Sequence, residues 1–293
     1  MKRIFQVAGL TFSLELPDTH PVSGRLSNYD PFESDPALDP ASFLFSLTVV
    51  SEPPATDGGI LYQAPEKEGV PVLNLKRTGE GFLAEFASMP GVPFSGLLSF
   101  DRDFRHGFLY TCGSPASQTF AVNNSLMLMY TFASASRSAL EIHASVVVHG
   151  GRGFLFLGRS GTGKSTHSSL WLKYIEGTTL LNDDNPVLRI VDGKVHVFGT
   201  PWSGKTPCYK AEDAPVGAIV RIRQAPENAI ERLDTVQAYT SVLSSISGFR
   251  PFREVTDAQH VTLAAIATEI PCFLLRCLPD EAAARLCHST VDG

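Results

Sequence analysis

Apolar and polar residues alternate from Ile4 onward, and the period of two through Phe5–Leu16 predicts a strand. Similar runs recur at Phe43–Val50, Phe82–Phe86, Leu97–Phe100 and Phe108–Thr111, punctuated by glycine and proline. Short strands broken in this way predict a small mostly-β domain. A long irregular loop, Pro17–Pro40, separates the first two runs and holds five prolines with Asp18, Asp30, Glu33, Asp35 and Asp39. From Ala121 to Leu140 the pattern becomes helical and rich in Leu, Met and Ala. That helix is either a hinge or the first element of a second domain. The expected division is 1–118 and 119–293.

The second part alternates between the two periods. Glu141–Val148 reads as a strand, Gly150-Gly151-Arg152-Gly153 as a tight turn, and Gly153–Leu157 as a short buried strand. Ser165–Tyr174 carries Leu170, Trp171 and Tyr174 at helical spacing, and Thr179–Asp183 returns to strand. Val187–Val191 and Val195–Phe198 flank Asp192-Gly193, a hairpin signal. Gly217–Ile222 and Cys272–Arg276 read as strands; Asp234–Ile246, Asp257–Ile266 and Pro279–Cys287 read as helices. The result is an α/β core with antiparallel additions.

Composition narrows the partners. At 293 residues, 43% hydrophobic and 18% charged, the chain has room for two modest domains and an ordinary globular core. A net charge of −6 disfavours nucleic acid as a partner. Five cysteines, an odd number with no C-x-x-C pair, argue for free thiols in a reducing compartment and against a zinc site or a disulfide scaffold. The Lys2-Arg3 start imitates a signal peptide, but Gln6, Thr11, Ser13 and Glu15 break the apolar run. No apolar stretch reaches the roughly 18 residues of a membrane span, so a cytoplasmic protein without membrane contact is expected.

Residues 158–166 read Gly-Arg-Ser-Gly-Thr-Gly-Lys-Ser-Thr, a full match to G-x-x-x-x-G-K-[ST]. Strand, glycine loop and helix in that order aim a helix N-terminus and convergent amides at a phosphate. Gly158, Arg159, Ser160, Gly161, Thr162, Gly163, Lys164, Ser165 and Thr166 are thus the candidate nucleotide-binding residues. Lys164 supplies positive charge for the outer phosphates, and Ser165 an oxygen for Mg²⁺. A second hit, Gly199-Thr-Pro-Trp-Ser-Gly204-Lys205-Thr206, is a poor cradle. Pro201 removes an amide donor, and Pro207 pushes Thr206 out of the helical region.

Phosphoryl transfer also needs a metal ligand, a group that manages the acceptor proton, and positive charge for the transition state. Asn182-Asp183-Asp184 closes the strand after the loop's helix, and paired carboxylates there suit the first two tasks. His143, read within the preceding strand, is a candidate for contact with the γ-phosphate or for tuning the aspartates. His149 and His167 read as surface or supporting positions. Arg221, Arg223 and Arg276 read as strand arginines in salt bridges, Cys208 as an inert small side chain, and Trp202 and Lys205 as residues of the acceptor side or of a surface turn.

With Glu141-Ile-His-Ala-Ser, the glycine loop and Leu180-Leu-Asn-Asp-Asp in place, residues 140–205 resemble the HPr kinase/phosphorylase group of the phosphoenolpyruvate carboxykinase-like P-loop superfamily. The resemblance implies a nucleotide-binding core of that type behind the β-domain. It also implies an ATP- and Mg²⁺-dependent kinase acting on a hydroxyl. Carried over, Asp183 is the base, Ser165 and Asp184 hold the metal, and His143 and Lys164 complete the catalytic set. The acceptor is a serine of a protein, a peptide or a small molecule, and assembly through this domain implies a homo-oligomer. The family's C-terminal signature is not found after Asp213, and the N-terminal segment departs from theirs, so HPr itself is not assigned as acceptor. A nucleotide sensor without turnover, and a carboxykinase-like or NTPase activity, are the alternatives.

Overall fold

Ala8 and Gly9 take positive φ (50° and 70°) and fold the run read as one strand into a hairpin, β1 (Lys2–Val7) and β2 (Leu10–Glu15). Such φ values suit the two-residue turn that matches strand twist. The computed structural model describes residues 1–35, 37–63, 71–204, 206–246 and 251–292. Pro36 of the proline loop and Lys205 of the second glycine pattern lie outside the described residues. No helix among the described residues is long and apolar enough to cross a membrane.

The protein is mixed α/β, with a large mixed sheet in each of two compact units. The first unit comprises residues 1–134 with residues 251–253. Its sheet adds β3 (Phe45–Val50), β4 (Gly59–Gln63), β5 (Val72–Arg77), β6 (Gly81–Ala87), β7 (Gly96–Asp101) and β8 (His106–Thr111), in the order β1-β2-β3-β8-β7-β6-β5-β4. The pairs β2/β3 and β3/β8 are parallel and the rest antiparallel. Sequence reasoning missed β4 and β5. β4 ends the sheet order and leaves Ile60 68% exposed, so it lacks a clean buried alternation.

Helix α1 (Pro115–Ser134) starts earlier than its apolar pattern because Ser114 accepts the Ser117 amide at 3.2 Å and Pro115 fits a first helical turn. It belongs to the first unit, where Tyr130 Oη donates to the Val7 carbonyl at 3.1 Å. The boundary between the two units falls at 134/135. Phe252 also belongs to this unit: its ring lies 4.5 Å from Phe82 and 4.9 Å from Phe132.

The second unit takes in residues 135–246 and 254–292. Its strands are β9 (Ala139–Glu141), β10 (Ala144–His149), β11 (Arg152–Leu157), β12 (Thr179–Asp184), β13 (Val187–Val191), β14 (Lys194–Phe198), β15 (Asp213–Gln224), β16 (Ala229–Arg232) and β17 (Cys272–Cys277). The order is β12-β10-β11-β15-β14-β13-β9, with β17 beside β15 and β16 beside β17. Helices α2 (Lys164–Tyr174), α3 (Thr235–Leu243), α4 (Arg253–Glu269) and α5 (Glu281–Val291) cover the sheet. On one face Ala144, Leu157 and Ile219 pack with Val242 of α3 and Leu263 of α4. On the other, Phe156, Val220 and Ile222 pack with Trp171 of α2 and Cys287 of α5.

Strand direction positions the site. β10 is antiparallel to both β11 and β12, so those two run the same way, and β15 is parallel to β11. The C-terminal ends of β11, β12 and β15 and the start of β10 therefore meet at one edge of the sheet. The predicted strand Glu141–Val148 is broken there. β9 pairs with β13 and β10 with β11 and β12, leaving His143 in the break between them.

Candidate functional site

The loop after β11 is shaped by its glycines. Gly163, the N-cap of α2, has φ 104°, a value open to glycine and strained for other residues. A Cβ on Gly158 would fall on Thr162 Oγ1, so only glycine lets the loop close there. Thr162 itself donates from its hydroxyl to the Arg159 carbonyl at 2.8 Å. Among the described residues, the amides of Ser160, Gly161 and Gly163 have no hydrogen-bond partner, which leaves them free for an anion. Arg159, Ser160, Ser165 and Thr166 are exposed around this mouth.

Lys164, Ser165 and Thr166 open α2, and the Lys164 ammonium turns back over the loop. It donates to the Gly158 carbonyl at 3.0 Å and lies 2.8 Å from His143 Nε2. His143 Nδ1 lies 2.9 Å from Asp184 Oδ1. This order fits the tautomer that donates from Nδ1 to the carboxylate and accepts at Nε2 from the ammonium. Burial lowers the Lys164 pKa; the charges of Asp184 and Asp183 oppose that shift, and the charge of Arg221 adds to it. Lys164, His143 and Asp184, three of the sequence candidates, are thus one connected group.

Asp183 is different. Its register partner on β10 is Ser145, whose hydroxyl meets Ser168 of α2 at 2.6 Å, so the aspartate shares that face. The residue is only 5% exposed, yet its carboxylate has no hydrogen-bond or ion-pair partner among the described residues. A nearly buried carboxylate without a protein partner near a lysine is a candidate for work on a ligand.

The second glycine pattern docks on these acids. Ser203 forms a bridge with Asp184, and the Gly204 amide donates to the Asp183 carbonyl at 2.8 Å. Thr200 Oγ1 receives the Asn182 amide at 3.1 Å and donates to the Asn185 carbonyl at 2.7 Å. Asn185 Nδ2 in turn donates to Asp184 Oδ2 at 3.0 Å. The segment is thus a brace for the acidic end of β12. Trp202 is 5% exposed, a core position rather than a surface turn.

Sequence reasoning missed Arg221. Of the three strand arginines, Arg276 does pair with Glu231 at 3.0 Å. Arg221 instead donates from Nε to Ser241 Oγ at 2.6 Å and from Nη2 to Ser244 Oγ at 2.7 Å, Ser245 Oγ at 3.0 Å and the Ser241 carbonyl. No local signal marked it: Ser241 of α3 and Ser244 and Ser245 just after that helix lie 20 to 24 positions away in sequence.

The structure narrows the reading of two histidines. His167 is core rather than surface: it packs on Phe156 with ring centroids 4.7 Å apart, and its Nε2 accepts from the Trp171 indole at 3.2 Å. Burial takes its pKa down to about 4. His149 is half-buried, with its ring 4.8 Å from that of His288. All five cysteines are free thiols, and burial raises the Cys208 pKa, in keeping with an inert side chain.

No protein-family model matches the chain, and no curated protein does either. Among solved structures, the Hpr(Ser) kinase/phosphatase from Coxiella burnetii is matched at a TM-score of 0.32 and 14% identity, over 52% of this chain and 88% of that one. A likeness that slight carries no argument, and the site is read from its own residues.

Proposed function

We propose that the protein is an ATP- and Mg²⁺-dependent kinase that transfers the γ-phosphoryl group to a hydroxyl of a protein, peptide or small molecule. The observation that carries this reading is the unpaired, nearly buried Asp183 at the same sheet edge as the glycine loop and Lys164. A binding loop alone needs no such carboxylate; a transfer reaction needs a group to take the acceptor proton.

The free amides of the loop and the Lys164 ammonium would grip the outer phosphates. The apolar hollow of about 590 Å³ between α2 and β17, lined by Thr166, Leu170, Ile222, Cys277 and Leu278, suits a nucleoside. Asp183 would accept the proton of the incoming hydroxyl. His143 would hold Lys164 and Asp184 in fixed relation, so that the ammonium faces the transferred group. The exposed Ser165 hydroxyl and the Asp184 carboxylate are oxygen donors of the kind a hard cation takes, so these residues fit magnesium. Magnesium, when bound, supplies neutralisation of charge on the phosphate oxygens.

The test is incubation of the purified protein with γ-labelled ATP, magnesium and a host lysate, read as label appearing on an acceptor. Label that depends on Lys164 and Asp183 supports the kinase. Tight nucleotide binding with no labelled acceptor supports the sensor instead, and acceptor-independent release of labelled phosphate supports an NTPase.

A further inference from the structure

A second hollow, of about 880 Å³, lies on the other side of the glycine loop. Arg159, Ser160 and Gly161 of the loop form one wall, Arg221 and Arg223 of β15 the floor, and Ser241 and Ser244 the far side. The strand's period of two makes this division: Ile222 faces α2 and the apolar hollow, while Arg221 and Arg223 face α3. In a chain of net charge −6, three arginines line this hollow against one acid, Glu231, which Arg276 already holds at 3.0 Å.

Arg221 is the centre of it. Its Nε and Nη2 are fixed by the hydroxyls of Ser241, Ser244 and Ser245, all neutral acceptors. The two N–H groups of Nη1 have no partner among the described residues, and no carboxylate pairs with the guanidinium. Arg159 likewise has no side-chain partner among them. Burial lowers the Arg221 pKa and the charge of Arg159 adds to that shift, so the two cations stand near one another uncompensated. Like charges held together by serine dipoles are unfavourable unless an anion joins them. A guanidinium held by its Nε side presents its remaining N–H pair as a fork for oxyanions.

We propose that this hollow binds a phosphate monoester, and that under the kinase reading above the ester is the anionic handle of the acceptor. A dianion matches the two unpaired guanidinium charges of Arg159 and Arg221, where a carboxylate would leave one unmatched. The Ser160 hydroxyl and the Arg223 guanidinium at the rim add further donors. Arg221 pairs with Leu157 at the C-terminal end of β11, the sheet edge at which β12 also ends with Asp183 and Asp184.

The test is calorimetric titration of inorganic phosphate, with acetate in parallel, into the full chain saturated with magnesium and a non-hydrolysable ATP analogue. Saturable one-to-one phosphate binding is expected, with acetate roughly 10-fold weaker. Arg221→Met and Arg159→Met should each weaken phosphate by about 10- to 100-fold, the range for a lost hydrogen bond to a charged group. Arg159 is exposed, so its substitution leaves the fold intact if Arg221→Met loosens α3. Phosphate that fails to bind, that ignores both substitutions, or that binds no better than acetate overturns the proposal. Phosphate displaced by the analogue shows that the arginines serve the nucleotide's own phosphates, which also overturns it. Phosphate binding that needs both arginines while the analogue itself fails to bind leaves the anion site standing and removes the kinase reading.

Discussion

Lys164 holds its ammonium 2.8 Å from His143 Nε2, so the charge that would face a phosphate is aimed by a side chain from the break between β9 and β10. His143 is a positioning residue in this arrangement. His143→Ala should lower kcat by about 10- to 100-fold, as loss of an orienting partner does elsewhere. KM for ATP should change far less. His143→Gln, which can still present an oxygen acceptor to the ammonium, should recover part of the loss. Equal kcat for wild type and His143→Ala in a labelled-phosphate transfer assay would remove this role.

Asp183 should behave differently from Lys164. Asp183→Asn keeps the shape and removes the base. It is expected to lower transfer by about 100- to 1,000-fold or more while calorimetry still reads nucleotide binding. Lys164→Ala should lose both. If Asp183→Asn transfers at the wild-type rate, the carboxylate is not the base.

The His167 imidazole sets a pH dependence for folding. Its pKa falls from 6.5 to about 4 on burial, so the unfolded chain binds more protons between these values. Stability from this group is complete above pH 6.5 and is lost as pH falls towards 4, a total of roughly 3 kcal/mol at 1.36 per unit. His167→Gln retains an acceptor for the Trp171 indole and cannot titrate. Denaturant midpoints measured at pH 7 and pH 4.5 should therefore differ less for His167→Gln than for wild type.

Thiol chemistry should be quiet in the native state. Cys112 is half-buried, the other four cysteines are buried, and burial raises the pKa of all five, that of Cys272 up to about 12. Iodoacetamide at pH 8 is expected to label Cys112 first and slowly, with the remaining four reacting only on unfolding. Mass spectrometry of peptides from briefly treated protein reads this directly. Rapid labelling of Cys208 or Cys277 would contradict it.

The parts legible in the sequence were those carried by neighbouring residues. The loop Gly158–Gly163 sits between a strand and a helix as its flanks predict, and Asp192-Gly193 turns a hairpin with φ 49° and 75°. The acids of β12 end their strand beside the loop because β10 separates and reverses them, a sheet order no local pattern reveals. His143 read as a strand residue because Ile142 and Ala144 are both apolar and buried, which hides the break. Helix α1 read as undecided between two domains because nearly all its faces are apolar, and only its packing on β7 and β8 assigns it. Arg221 was invisible for a simpler reason: an arginine on a strand looks the same whether an acid or three serines await it.

Single-residue parity along β15 has a consequence for how this protein tolerates change. Insertion or loss of one residue just before Arg221 would exchange isoleucine and arginine between the two floors, greasing the basic chamber and charging the greasy one. Length in that strand is thus constrained more tightly than composition, and swaps that keep the count should be better borne than any indel.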